Sequence, residues 1–229
     1  MSGRILAIGD IHGCMTALEV LLQSIDLQPD DTLVTLGDYV DRGPDTRRVL
    51  DRLIALSRTH YLVALRGNHE HMMLEARLDS RAAVAWLENG GREALDSYGA
   101  PTLMAGLKVI PQSHWDFMEQ QCVDIWESET HFFVHGNVYP DLPLCEQPPY
   151  ILHWGKFLEA KLHQSGKTMV CGHTSQKSGL PANRGFAVCI DTWACGGGWL
   201  SCLDVKSGLV WQTNQAGQQR RFHLSDLPK

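Results

Sequence analysis

The amino-acid sequence predicts an α/β fold: a sandwich of mixed sheets flanked by helices, with its chemistry at the C-terminal ends of the strands. Three observations carry that expectation. The first half of the 229-residue chain repeats a strand, polar loop and helix unit three times. The second half is strand-rich. Several apolar runs, finally, stop at a short polar cluster containing glycine and a metal-ligating type of side chain.

In chain order, residues 4–8 form a short apolar run that ends at Gly9-Asp10 and reads as a buried strand. Ala17, Leu18, Leu21, Leu22 and Ile25 then recur at helical spacing. The stretch 26–31 is a turn, and 32–36 a second strand ending at Gly37-Asp38. Pro44 suits the first turn of a helix whose apolar face is Val49, Leu50, Leu53, Ile54 and Leu56. A third strand, 61–65, runs into Arg66-Gly67-Asn68-His69-Glu70, and three such units specify a mainly parallel sheet. From 71 to 121 the pattern is mostly helical, broken at Asn89-Gly90-Gly91 and at Gly99-Ala100-Pro101. Residues 122–127 and 131–134 read as a strand pair ending at His135-Gly136-Asn137. A Pro-rich loop, 140–149, precedes a helix expected at about 151–163. Strands at 168–171, 186–190, 200–205 and 209–213 follow, with Lys206-Ser207-Gly208 as a hairpin turn. No internal repeat or low-complexity linker interrupts the chain, so residues 1–229 are expected to form one domain.

Composition narrows the function. Lys and Arg number 20 against 26 Asp and Glu, a formal charge of −6 that argues against a general nucleic-acid binder. Charged residues at 20% and hydrophobic ones at 44% exclude a disordered chain. The longest apolar run, 82–87, falls far short of the ~20 residues that span a bilayer. The opening residues lack the apolar stretch of a secretory signal, and a cytoplasmic monomer is expected, with no membrane or nucleic-acid partner. Seven cysteines without a C-x-x-C pair read as reduced, packed thiols.

Five polar clusters each follow an apolar strand: Gly9-Asp10-Ile11-His12-Gly13, Gly37-Asp38-Tyr39-Val40-Asp41-Arg42-Gly43, Arg66-Gly67-Asn68-His69-Glu70, His135-Gly136-Asn137 and Gly172-His173. Singly, each is ordinary turn chemistry. Together they bring carboxylate, amide and imidazole ligands to one edge of a sheet, a donor mixture suited to Mn, Fe or Zn in open sites. The set resembles the PPP family of metal-dependent serine/threonine protein phosphatases, within the calcineurin-like metallophosphoesterases, whose motifs are GDxHG, GDxVDRG, RGNHE, HG and GH in that order. The resemblance covers nearly the whole chain. It is closest to small bacterial and phage-type members, which share a segment like Trp86-Leu87-Glu88-Asn89-Gly90-Gly91.

The resemblance implies a metallophosphoesterase catalytic domain with two divalent ions, Mn first among the candidates. Asp10 and His12 would hold one, Asn68, His135 and His173 the other, with Asp38 bridging. Arg42 and Arg66 would grip phosphate with planar forks. His69 would protonate the leaving oxygen, oriented by Asp41, while a hydroxide bridging the metals attacks phosphorus in line. The family's third arginine is replaced by Lys156, which either contacts phosphate as a point charge or caps a helix turn. Cys14 and Cys171 beside the motifs read as packing residues, and the glycine-rich loop after Asp191-Thr192 receives no catalytic role. Trp193, Trp199 and Trp211 are expected to be buried in a sheet.

Asp41, Arg66 and Glu70 together favour a phosphoprotein substrate over symmetrical dinucleoside-tetraphosphate hydrolysis, whose enzymes lack the aspartate of VDRG and end the third motif in Asp. Tyrosine or dual specificity remains an alternative, because the clamp recognises phosphate rather than the alcohol behind it. A non-catalytic scaffold is disfavoured, since every expected ligand, His69 and Asp41 are present. Specificity is expected in segments 71–121 and 140–149.

Overall fold

A computed structural model describes residues 3–99 and 102–227; Ala100 and Pro101, at one expected helix break, lie outside them. Eleven strands form two mixed sheets among the described residues. They are β1 (Ile5–Ile8), β2 (Thr32–Thr35), β3 (Tyr61–Ala64), β4 (Ile125–Glu127), β5 (His131–Val134), β6 (Thr168–Cys171), β7 (Ala182–Asn183), β8 (Ala187–Cys189), β9 (Leu200–Asp204), β10 (Leu209–Thr213) and β11 (Gln219–His223). One sheet has the order β11-β10-β9-β1-β2-β3, the other β4-β5-β6-β8-β7. Strands β1, β2 and β3 run parallel, as the three repeated units require, and β9, β10 and β11 join them as an antiparallel meander. In the second sheet β5, β6 and β8 are parallel, with antiparallel β4 and β7 at the edges.

The alternation of side chains along each strand builds three apolar layers. Ala7, Val34 and Val63 from the first sheet meet Phe133, Val170 and Val188 from the second, forming the seam of the sandwich. Their sequence neighbours Leu6, Ile8 and Leu33 face the other way, onto α1 (Met15–Ile25) and α2 (Thr46–Ser57). Phe132, Val134 and Met169 pack outward against Ile151 and Leu152. Burial of each Val, Leu, Ile, Phe or Met side chain among these stabilises by about 1.5–3 kcal/mol, and the seam fixes the C-terminal ends of both sets of parallel strands side by side. No helix of the described residues is long and apolar enough to cross a membrane.

The segment after β3 forms α3 (Asn68–Ala76), α4 (Ser80–Trp86), α5 (Arg92–Ser97), α6 (Leu103–Val109) and α7 (Gln112–Asp116), with a kink at Leu87–Gly91 and a π-helical turn at Phe117–Gln121. The helix expected at 151–163 is much shorter. Helix α8 covers Pro149–Trp154 and ends at Gly155, whose backbone is extended. A side chain at 155 would lie 2.5 Å from the Asn137 Cβ, so the chain there follows the loop after β5 instead of continuing the helix. The two strands the sequence did not announce, β7 and β11, are a two-residue edge and a polar edge without apolar alternation.

Candidate active site

The five polar clusters follow β1, β2, β3, β5 and β6 and converge at one end of the seam. Their backbones are forced into unusual shapes: His12 (φ 43°), Asp38 (φ 51°), Asp41 (φ 71°), Arg42 (φ 66°) and His173 (φ 61°) are all left-handed. Each such residue costs about 1–2 kcal/mol, so the surroundings must hold them. Glu70 does much of this. Its buried carboxylate accepts the backbone N–H groups of Gly67, Asp38, Tyr39 and Val40 at 2.8, 2.8, 2.7 and 3.3 Å. The Asp38 carbonyl in turn accepts from the N–H groups of Ile11 and His12 at 3.0 and 2.7 Å, tying the first loop to the second. Gly67 is required where the loops touch, since a Cβ there would fall 2.1 Å from Asp38 Oδ1.

Asp38 lies at the centre. Its Oδ1 is 3.3 Å from His135 Nε2, and its Oδ2 is 3.4 Å from His12 Nε2 and 4.0 Å from His69 Nε2. Two groups of side chains have donor atoms close enough to share an ion, His12–Asp38–His69 and Asp38–His135–His173, with Asp38 common to both. Asn68 Oδ1 adjoins the second group, 2.9 Å from His135 Nε2 and 2.9 Å from His173 Nδ1. Asp10 is in neither group. Its two oxygens accept the His173 backbone N–H at 3.2 and 3.0 Å, and the third member of the group with His12 and Asp38 is His69.

The hydrogen bonding fits cations here. His135 Nδ1 is 2.7 Å from the Leu36 carbonyl and His12 Nδ1 is 2.8 Å from the Val40 carbonyl, so both nitrogens must carry the proton. Burial lowers the pKa of His135 and brings that of His12 down to about 3, which keeps both rings neutral. Their Nε2 lone pairs therefore face the oxygens of Asn68 and Asp38, acceptor against acceptor. Arg42 Nη1 can donate to His12 Nε2, 2.9 Å away, while a divalent ion would satisfy the His135, Asn68 and Asp38 lone pairs together. Burial and the nearby Asp191 and Asp38 carboxylates push the Asp10 pKa up, a further sign of unbalanced negative charge.

His69 Nδ1 meets Asp41 Oδ2 at 2.7 Å. Asp41 also accepts the Trp86 indole N–H, at 2.9 and 3.0 Å from its two oxygens. Burial opposes a charge on His69, but Asp38 and Asp41 outweigh it and the pKa is raised. Burial likewise pushes Asp41 up to about 6, against the bonds from His69 and Trp86. Both side chains are buried, so the pair keeps a fixed orientation.

A cavity of about 400 Å³ opens over these groups, lined by Arg42, His69, Trp154, Lys156 and Ser175 among others. Arg42 Nη1 is 2.9 Å from His12 Nε2, which sets its guanidinium beside the candidate ligand groups. Lys156 Nζ is 2.9 Å from His173 Nε2, so its charge faces the cavity. Arg66 is placed differently: it donates to the carbonyls of Met118, Glu119 and Cys122 at 3.1, 3.0 and 3.1 Å and approaches Asp124 at 3.4 Å. Those contacts turn the fork toward the π-helical turn at Phe117–Gln121, and Arg66 does not line the cavity.

Glu70 and Trp86 are the residues whose positioning work the sequence reading did not assign, although both stand in quoted motifs. The signal available for Glu70 was positional, a Glu three residues after Gly67 at a helix start, and Trp86 was quoted only as part of the segment 86–91. Trp193, Trp199 and Trp211 are half-buried rather than buried; only Trp211 lies in a strand, β10, while Trp193 and Trp199 bridge each other outside the sheets, with the Arg220 guanidinium 4.2 Å over the Trp199 ring.

The family profile for calcineurin-like phosphoesterases matches residues 3–183. Serine/threonine-protein phosphatase 1 of Salmonella typhimurium is 44% identical over 89 residues, 38% of this chain and 39% of that protein. The symmetrical bis(5'-nucleosyl)-tetraphosphatase of Delftia acidovorans is 32% identical over 155 residues, 58% of this chain and 53% of that one. The matched stretches thus span about half or less of these curated relatives. A serine/threonine phosphatase structure from Saccharomyces cerevisiae superposes with a TM-score of 0.63 at 18% identity, covering 100% of this chain and 82% of the other, a likeness of fold alone. With most of its length matched by the family profile and the family's clusters gathered at one edge of its sandwich, this chain belongs to the calcineurin-like phosphoesterases.

Proposed function

We propose that the chain is a metal-dependent phosphomonoesterase acting on serine/threonine-phosphorylated protein, as a cytoplasmic monomer with Mn as its metal. The observation that carries this reading is the buried Trp86–Asp41–His69 chain ending beside Asp38 at the cavity. Divalent ions held by His12, Asp38, Asn68, His135 and His173, with Asp10 close by, would supply charge neutralisation and a water ionised near neutral pH. The protein does the rest. Arg42 and Lys156 offer cationic donors to the phosphate oxygens, Arg42 as a fork and Lys156 as a point charge. Asp41 accepts from His69 Nδ1–H, leaving Nε2 on the cavity side to carry the proton that the departing alkoxide needs. A serine alkoxide is a poor leaving group, and this proton is what a phosphomonoester of serine requires most. Arg66 acts in this scheme through the π-helical turn it braces, or on phosphate after leaving its carbonyls.

The second reading, symmetrical dinucleoside-tetraphosphate hydrolysis, is favoured by the longer stretch shared with the Delftia relative, 155 residues against 89. Rates measured side by side on phosphoserine protein, phosphotyrosine peptide and diadenosine tetraphosphate separate the two. The first substrate should be turned over fastest; a dinucleotide faster than both phosphopeptides reverses the assignment.

A further inference from the structure

Ser175 and Asp191 stand beside the cavity and play no part in the scheme above. Ser175 is half-buried and lines the cavity. Its hydroxyl donates to Asp191 Oδ2 at 2.6 Å. Asp191 is itself only 3% exposed and is fixed by the Trp193 backbone N–H, 3.0 Å from its Oδ1. A serine hydroxyl has one proton and two lone pairs. With the proton engaged by a buried carboxylate, Ser175 presents only acceptor capacity to the cavity. Its neighbours are the opposite: Arg42 and Lys156 are donors, and Thr174 Oγ1 accepts the Phe157 N–H at 2.9 Å, which leaves its proton free to donate.

A phosphate dianion is acceptor-only, so it matches the donors and not Ser175. The oxygen of Ser175 requires a donor that belongs to the organic part of the substrate. Resting on the phosphoprotein reading, we propose that Ser175, oriented by Asp191, is a specificity residue that accepts the backbone N–H of the phosphorylated residue or of the residue after it. In a tetraphosphate cut symmetrically the reacting phosphoryl has phosphates on both sides, so only acceptor oxygens would meet Ser175 there. The same contact that reads a peptide therefore selects against a polyphosphate.

Two phosphoserine peptides of one sequence test this, one of them N-methylated at the phosphoserine and the following residue. Wild type should lose roughly five- to tenfold in kcat/KM on methylation, the size of one neutral hydrogen bond. In Ser175→Ala the two peptides should be hydrolysed with equal kcat/KM, and Ser175→Thr, which keeps the hydroxyl, should restore the difference. An equal methylation penalty in wild type and Ser175→Ala overturns the inference while leaving the phosphoprotein reading intact. Failure of wild type to hydrolyse either peptide overturns that reading and the inference with it.

Discussion

Without the His69 imidazole the leaving alkoxide has no proton donor, so His69→Asn should lower kcat on phosphoserine peptide by roughly 10²–10⁴-fold. The pH profile tests the role of Asp41 separately. Burial works against the His69 charge, and Asp38 and Asp41 raise its pKa above the ordinary histidine value. A general acid works while protonated, so activity should hold below that pKa and fall as pH rises through it. Asp41→Asn removes one of the raising charges, and the alkaline limb of kcat should move to lower pH; an unmoved limb would disconnect the pair from the reaction. At this scale the sequence was most informative about residue types and least about orientation. His12, Asp38, His135 and His173 were legible because ligand types recur after apolar runs, and the structure brings them together. The positions of Asp10 and Arg66 were not. Which way a carboxylate or guanidinium turns depends on backbone groups from other segments, here the N–H of His173 and the carbonyls of Met118, Glu119 and Cys122.

Among the elements, the kink Leu87–Gly91 between α4 and α5 has the most direct hold on the site. Its Gly90 has φ 109°, accepts the Arg42 N–H at 3.1 Å, and has no room for a side chain: a Cβ would lie 2.7 Å from Arg42 N and Cγ. Gly90→Ala should destabilise the fold by about 1–3 kcal/mol, lowering Tm by roughly 2–10 °C, and raise KM through displacement of Arg42. Thermal melts and steady-state kinetics check both; an unchanged KM would remove the kink from the binding machinery. Helices α1 and α2 were readable from periodicity because each buries one face, and the parallel strands from short unbroken apolar runs because both their faces are buried. Helix α8 was overestimated because its end is set by the approach of the loop after β5 to Gly155, a long-range contact without local signature. Strand β11 escaped because an edge strand with exposed Arg220 and Arg221 has no alternation to detect.

On the scale of the molecule, the −6 charge is partly local. Asp10, Asp38 and Asp191 are all buried around the convergence of the two sheets, and divalent ions there would offset much of the excess and turn the active edge positive. Because the ligands come from both sheets, binding should also stabilise the sandwich as a whole, by about 2.7 kcal/mol at a hundredfold excess over Kd. The most direct measurement is a metal titration of chelator-stripped chain, with bound Mn(II), Tm and p-nitrophenyl phosphate hydrolysis followed on one sample. Hydrolysis that appears as two ions bind per chain, with Tm rising in step, is the expected result. Absence of turnover with Mn(II), Fe(II) or Zn(II), or turnover that persists in fully stripped protein, would contradict it.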